Sequence, residues 1–243
     1  MTKQVFAPEV IEALRQIDSP TISNAIEQFQ VRDPVTGYAS LELCCQFPEA
    51  KPMVGYAVTC TADTTMPGDN RPSRLQELLD VFQAAPKPAV LVIKYVGNDR
   101  LRSCYLGDIF CTSLQKLGGV GIVTDGGARD RTGIKQRAPG FQLFSPGWVV
   151  SHGLGSYLDF GITVSICGLT IQHGDLLHGD ESGLLTIPQD LAQPVAEKAR
   201  EIHRVEAEFF DFLQSDAFSF DALKRRIGFG RAHSAANSPP KNG

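Results

Sequence analysis

No apolar run in this sequence approaches the roughly 20 residues that a membrane-spanning helix requires. The amino terminus, Met1-Thr-Lys-Gln-Val-Phe-Ala-Pro-Glu9, has no apolar signal core either, so no membrane partner and a cytoplasmic location are expected. A basic excess is missing: 23 lysines and arginines face 27 aspartates and glutamates, for a formal charge of -4. Nucleic-acid binding usually demands a basic face, so none is expected. The short run Lys224-Arg225-Arg226 reads as the end of a helix. Six cysteines (Cys44, Cys45, Cys60, Cys104, Cys111, Cys167) include no CxxC pair. Zinc-site spacing is thereby absent, and the thiols are expected as small buried hydrophobes in a reducing compartment. A complete GxGxxG is lacking too. The glycines of Gly118-Gly-Val-Gly121 precede a strand instead of following one, which removes the dinucleotide-fold reading.

What is present is ordinary globular material, 42% hydrophobic and 21% charged over 243 residues. That length suits one large domain, expected over residues 1–230, with a small polar tail at 231–243 expected to be disordered. Val10, Ile11, Leu14 and Ile17 recur at helical spacing, and Ser19-Pro20 announces a second helix with Ser19 as its cap. The turn-rich stretch 31–52 reads as a connection and Val54–Ala62 as a strand. An amphipathic helix follows from Ser73 to Ala84, then the apolar run Ala89–Val96 as a buried strand. Asp108 to Leu117 fits a helix and Val120–Thr124 a short buried strand. Strands are expected at 141–144, 148–150, 162–166, 169–171 and 183–187, and a long helix from Asp190 to about Gln214. There is no internal repeat. The pattern is α/β: mixed strands through the middle, flanked by helices.

Chemistry concentrates around one helix–strand unit. Asp108 opens the helix after Gly107, and Arg129-Asp130 follow the next strand and the turn Asp125-Gly126-Gly127. Open α/β sheets put their ligands at such strand ends. Arg129 offers a fork matched to a carboxylate. Asp130 supplies a hard oxygen suited to magnesium or manganese. The two glycines would let backbone approach a ligand. Against this stand an Arg–Asp surface ion pair and a favourable charge near a helix amino terminus.

Two rival constellations are visible. Lys94 interrupts the apolar run and is a candidate for a Schiff base, or for a head snorkelling to solvent. His173, Asp175 and His178 can be drawn as a metal cluster, or as a turn with ordinary loop histidines. Alternatively, Asp180-Glu181 could approach a neighbouring subunit's site. Arg71, Arg74 and Lys94 are candidates for a distal substrate carboxylate.

An aspartate, twenty residues, then Arg-Asp is a spacing met by Asp108, Arg129 and Asp130. With Ser19 through Ala25, Val54-Gly-Tyr-Ala-Val-Thr59, Pro67-Gly-Asp-Asn70 and the stretch from His173 to Pro188, most of the chain resembles a known family. It contains class II 4-hydroxy-4-methyl-2-oxoglutarate / 4-carboxy-4-hydroxy-2-oxoadipate aldolases and RraA-like regulators of ribonuclease E activity. The resemblance implies a β/β/α swivelling-type core, assembled as a trimer or hexamer with sites between subunits. It implies a divalent-metal-dependent class II lyase that releases pyruvate by retro-aldol cleavage of a 4-hydroxy-2-oxo di- or tricarboxylate, with oxaloacetate decarboxylation at the same site. Asp130 would ligate Mg2+ or Mn2+, and Arg129 would hold the pyruvyl end and steady the enolate. Asp108 would hydrogen-bond a metal-bound water, and Gly107 with the backbone amides of Ile109 and Phe110 would bind the pyruvyl carboxylate. The other implied activity is non-catalytic regulation of a ribonuclease. Three positions depart from the family pattern: Gly133 where a carboxylate is frequent, Asn24 where an aspartate is, and His173 where a proline is.

Overall fold

The computed structural model of this chain describes residues 4–66 and 70–227. The expected tail at 231–243 lies outside the described residues, as do Pro67, Gly68 and Asp69 of the family-like loop. The single domain expected through residue 230 divides into two compact units, Met1–Ala199 and Arg200–Gly243.

In chain order the elements are α1 (Pro8–Arg15), α2 (Ser19–Glu27), β1 (Cys44–Cys45), β2 (Met53–Asp63), α3 (Leu75–Ala84) and β3 (Ala89–Tyr95). Then come α4 (Asp108–Lys116), β4 (Gly119–Thr124), β5 (Gly127–Ala128), α5 (Arg131–Arg137), β6 (Gln142–Ser145) and β7 (Gly147–Trp148). They are followed by β8 (Ser156–Phe160), β9 (Val164–Ile166), β10 (Leu169–Ile171), β11 (Leu176–Asp180), β12 (Gly183–Ile187) and α6 (Ala192–Gln214).

The main sheet runs β1-β6-β4-β3-β2-β11-β12, with β8 on the second half of β2. Its centre is parallel: β2 with β3, β3 with β4, β4 with β6. The flanks β1, β8, β11 and β12 are antiparallel. This is a mixed α/β fold in which β3, apolar at nearly every position, lies in the middle of the sheet. Alternation along β3 feeds two cores. Leu91 and Ile93 join Leu78, Phe82, Leu106, Leu114, Ile122 and Ile134 under α3, α4 and α5. Val90 and Val92 join Met53, Val123 and Phe144 against Val164, Ile166, Leu169 and Ile171 of the β9–β10 pair. Each fully buried aliphatic side chain contributes about 1.5–3 kcal/mol, so β3 is doubly anchored.

Strands β1 and β8 lie where none is expected, and three further differences from the sequence reading have clear physical causes. The cap of α2 is Asp18, whose carboxylate accepts from the Thr21 backbone N–H at 2.9 Å, so Ser19 is already helical. Residues 131–137 form α5, where no helix is expected from pattern. His178 is not a loop residue: it is fully buried in β11. Ser19 Oγ lies 2.9 Å from its Nδ1, while the Leu14 and Ile17 carbonyls lie 3.1 and 3.0 Å from Nε2. Two carbonyls at Nε2 require the N–H there, leaving Nδ1 to accept from the serine. Asp180, also buried, accepts from the Ser19 and Ser182 backbone N–H groups at 2.6 and 2.8 Å. These polar groups bind β11 to the amino-terminal helices.

Candidate functional site

β3, α4 and β4 form a parallel strand–helix–strand crossover, so the amino terminus of α4 and the carboxyl end of β4 share one edge of the sheet. Asp108 enters from the first and Arg129-Asp130 from the second. The three line one cleft of about 370 Å³, together with Gly107, Ile109, Phe110, Tyr105, Tyr157, Leu75, Leu79 and His152. The sequence-predicted residues are therefore brought together.

Gly107 caps α4 without a side chain. A Cβ at this position would lie 2.6 Å from Asp130 Oδ2, so only glycine lets the acid of one segment rest on the backbone of the other. Asp130 itself is left-handed, with φ 63°, a conformation that aspartate tolerates better than most residues. Its Oδ2 accepts from Arg129 Nε at 3.0 Å. The adjacent Arg–Asp pair thus ties the guanidinium to the neighbouring carboxylate within the cleft lining.

Asp108 is held from two sides. Its Oδ1 accepts from the Ile109 backbone N–H at 2.8 Å, and its Oδ2 from Arg137 Nη1 at 2.6 Å. The Ile109 amide, assigned by resemblance to a substrate carboxylate, is taken here by its neighbour's own side chain. Arg137 comes from α5, one turn beyond Gly133. A Cβ at 133 would lie 2.5 Å from Asp108 Oδ2 and 2.7 Å from Arg137 Nη1. The residue that departs from the family pattern is therefore the one that makes room for this ion pair. Beneath the acids, burial pushes the Cys111 thiol up to about 12, with Asp108 and Asp130 adding to the shift.

The glycines of the Asp125-Gly-Gly turn serve the core rather than a ligand. A Cβ on Gly126 would strike the Tyr95 ring at 2.2 Å, and one on Gly127 the Val149 side chain at 2.8 Å. Lys94 is paired with the buried carboxylate of Asp125, which also accepts from the Tyr95 N–H at 2.9 Å. It does not line the cleft. His173, Asp175 and His178 form no metal cluster, and among the described residues no group of three or more histidine, cysteine, aspartate or glutamate side chains could hold an ion. Leu75, Leu79, Tyr105, Tyr157, His152 and Arg137 are site residues that sequence reasoning missed. Leu75 and Leu79 carried a signal, being one turn apart on an amphipathic helix.

A family model described as RraA-like (Aldolase/RraA) matches residues 19–186, well over half the chain. The chain belongs to the RraA-like family. Among curated relatives, a protein of Ectopseudomonas mendocina provisionally named 4-hydroxy-4-methyl-2-oxoglutarate aldolase is 34% identical over 107 residues, covering 43% of this chain and 63% of that one. Protein DlpA of Legionella pneumophila is 23% identical over 201 residues, covering 82% of this chain and 31% of DlpA. The match thus spans less than two thirds of either relative. Two solved structures share the fold. One is an uncharacterised protein of Pseudomonas syringae, with TM-score 0.73 at 23% identity, covering 93% of this chain and 97% of that one. The other is RraAS2 of Streptomyces coelicolor, described as an unusual member of the RNase ES inhibitor RraA protein family. It gives TM-score 0.65 at 22% identity, covering 86% of this chain and 99% of that one. The RraA-like fold expected from the sequence is borne out. No helix among the described residues is long and apolar enough to cross a membrane.

Proposed function

We propose that this RraA-like chain is a divalent-metal-dependent lyase that cleaves a 4-hydroxy-2-oxo acid and releases pyruvate. The convergence of Asp108, Arg129 and Asp130 on one cleft at a helix amino terminus carries the reading. The donor set suits magnesium or manganese: carboxylates at an open rim, without the closed all-protein cage that calcium or zinc sites use. Asp130 would hold the ion, with Asp108 near it. Bound there, the cation would polarise the 2-oxo group and offset the charge that develops on its oxygen.

The chain's own residues supply the rest. Arg129, fixed at Nε by Asp130, has its Nη edge to meet the pyruvyl carboxylate and the developing enolate. The amino terminus of α4, with Gly107 and the Phe110 amide, would add a backbone dipole of the same sign, the Ile109 amide being held by Asp108. Asp108 would move a proton through water. The 4-hydroxyl proton leaves as the C3–C4 bond breaks, the carbonyl fragment departs, and C3 of the enolate is reprotonated to give pyruvate. Loss of CO2 from oxaloacetate generates the same enolate, so the site would support decarboxylation as well. A trimer or hexamer is part of this reading.

Pyruvate release coupled to lactate dehydrogenase tests it, over several 4-hydroxy-2-oxo acids and oxaloacetate, with magnesium or EDTA. EDTA should abolish turnover, and Asp130→Asn should lower kcat/KM on the order of 10²-fold or more. Full activity in Asp130→Asn would sink the proposal. A second reading, a non-catalytic binding protein acting on a ribonuclease, draws on the likeness to RraAS2. A stable ribonuclease complex without turnover of any oxo acid would favour it.

A further inference from the structure

The segment between β7 and β8 carries His152 into the cleft, and its backbone is seated on the end of β2. Gly153 is left-handed at φ 60°, and a Cβ there would overlap the Thr64 carbonyl oxygen; one on Gly155 would overlap that of Asp63. The missing side chains let the two backbones lie this close. The Ser151 hydroxyl accepts from the Gly153 N–H at 3.2 Å, and Tyr105 donates its hydroxyl to the Gly155 carbonyl at 3.3 Å. His152 therefore stands on a fixed backbone although its side chain is exposed. Its Nδ1 lies 2.6 Å from the Gly153 carbonyl oxygen, which can only accept. In the neutral ring Nδ1 thus carries the proton and Nε2 the lone pair.

That lone pair has no equal in the rest of the cleft lining. One wall is apolar, with Leu75 and Leu79 from α3, Phe110 from α4 and the Tyr157 ring from β8. The hydroxyls are committed as donors: Tyr105 to Gly155, Tyr157 to the Tyr105 carbonyl at 3.3 Å, and Ser113 to the Ile109 carbonyl at 2.8 Å. Both oxygens of Asp108 already accept hydrogen bonds, and Asp130 is tied to the Arg129 cation. His152 also lines a neighbouring cavity of about 570 Å³, which it shares with Thr64, Asn98, Asp99 and Arg102. The ring stands between the two spaces, with Asp108, Arg129 and Asp130 in one and Asp99 and Arg102 in the other.

We infer that His152 is a catalytic residue of the retro-aldol step, the base that takes the 4-hydroxyl proton. The inference deepens the aldolase reading and rests on it. Nε2 accepts the proton, the O–H electron pair becomes the second bond of the C4 carbonyl, and the C3–C4 bond breaks with its electrons entering the pyruvate enolate. The carbonyl fragment leaves, C3 is protonated through the water at Asp108, and the imidazolium returns its proton to solvent by way of the second cavity. The two proton transfers are divided between the two ends of the breaking bond. Decarboxylation of oxaloacetate and exchange of the pyruvate methyl protons use the enolate end alone, because neither compound has a 4-hydroxyl.

His152→Ala in the full chain with magnesium separates the two ends. Pyruvate release from 4-hydroxy-4-methyl-2-oxoglutarate should fall in kcat on the order of 10²-fold or more, the usual worth of a positioned base, with KM little changed. Oxaloacetate decarboxylation, and deuterium exchange into pyruvate followed by proton NMR in D2O, should keep the parent rates. Added imidazole should restore part of the lost cleavage, which a purely structural role would not produce. Cleavage by the variant at the parent rate overturns the inference and leaves the aldolase reading standing, the base then coming from elsewhere, a partner subunit included. Equal loss of cleavage, decarboxylation and exchange also overturns it, since His152 would then only shape the site. A parent protein inert toward every oxo acid removes the aldolase reading and this inference with it.

Discussion

Gly133→Ala is the substitution whose effect the structure constrains most closely. The new methyl carbon would sit 2.5 Å from Asp108 Oδ2, 2.7 Å from Arg137 Nη1 and 3.0 Å from Asp108 Cβ, all inside ordinary contact distance. Arg137 has a flexible, exposed end and can swing aside. Asp108 Cβ is tied to the first turn of α4 and cannot, so the carboxylate or the helix must shift by several tenths of an ångström or more. Stability should change little. Gly to Ala inside a helix gains roughly 0.5–1 kcal/mol, and losing an exposed ion pair costs about 0–1 kcal/mol. The net should fall within about 1 kcal/mol of zero by these terms. Catalysis should respond far more, because a misplacement approaching 1 Å in a proton-handling group can cost on the order of 10²-fold. Parallel measurement of melting temperature and of kcat/KM for pyruvate release separates the two. Arg137→Ala removes the ion pair without adding a methyl and should fall between the parent and Gly133→Ala in activity. A Gly133→Ala protein with parental melting and parental kcat/KM would refute the close packing of α5 on Asp108.

Other outcomes follow from groups away from the cleft. Burial holds the His178 imidazole below its ordinary pKa, outweighing the Leu14 and Ile17 carbonyls, Asp180 and Asp18. The unfolded chain therefore binds the proton first, so stability is complete above about pH 6.5 and is lost as pH falls below it, by up to about 1.4 kcal/mol per unit. His178→Gln should flatten that segment of the melting-temperature profile, and an identical slope in the variant would contradict it. Asp18→Ala removes the carboxylate that accepts from Thr21 N and Oγ1, each at 2.9 Å, and should cost about 1 kcal/mol in urea denaturation. Burial pushes the Cys45 and Cys167 thiols up to about 11, and Cys60 and Cys111 are buried outright. Exposed Cys44 should be the first thiol labelled by a disulfide reagent at pH 8, and labelling of Cys60 in the folded protein would contradict the packing of β2.

The parts legible from sequence were those with a period. Amphipathic α3, apolar β3 and the α4–β4 unit lie within a residue or two of where the pattern placed them, because their own side chains supply the buried faces. Asp108, Arg129 and Asp130 were legible by spacing, and the crossover does bring them together. α5 was not, since Arg131-Thr-Gly-Ile-Lys-Gln-Arg137 buries only Ile134 and shows no stripe. Without α5, Gly133 could only look like a missing carboxylate and Arg137 had no visible partner. β11 hid for the opposite reason. It buries every residue, His178 and Asp180 included, and the partners that make such burial tolerable sit some 160 positions earlier at Ser19. Periodicity carries no trace of a satisfied polar strand. The apolar wall also escaped, because it is assembled from α3, α4 and β8.

The left-handed backbone at Asp130 narrows which exchanges this position can accept. Glutamate, nominally the conservative change, is the poorer one. It keeps the charge but lengthens the side chain where the Gly107 backbone already touches the carboxylate, and it forfeits aspartate's tolerance of this conformation, which for most residues costs about 1–2 kcal/mol. Asparagine keeps both length and tolerance while removing only the charge. Asp130→Asn therefore isolates the charge that the proposed metal would need, whereas Asp130→Glu mixes a change of reach with backbone strain.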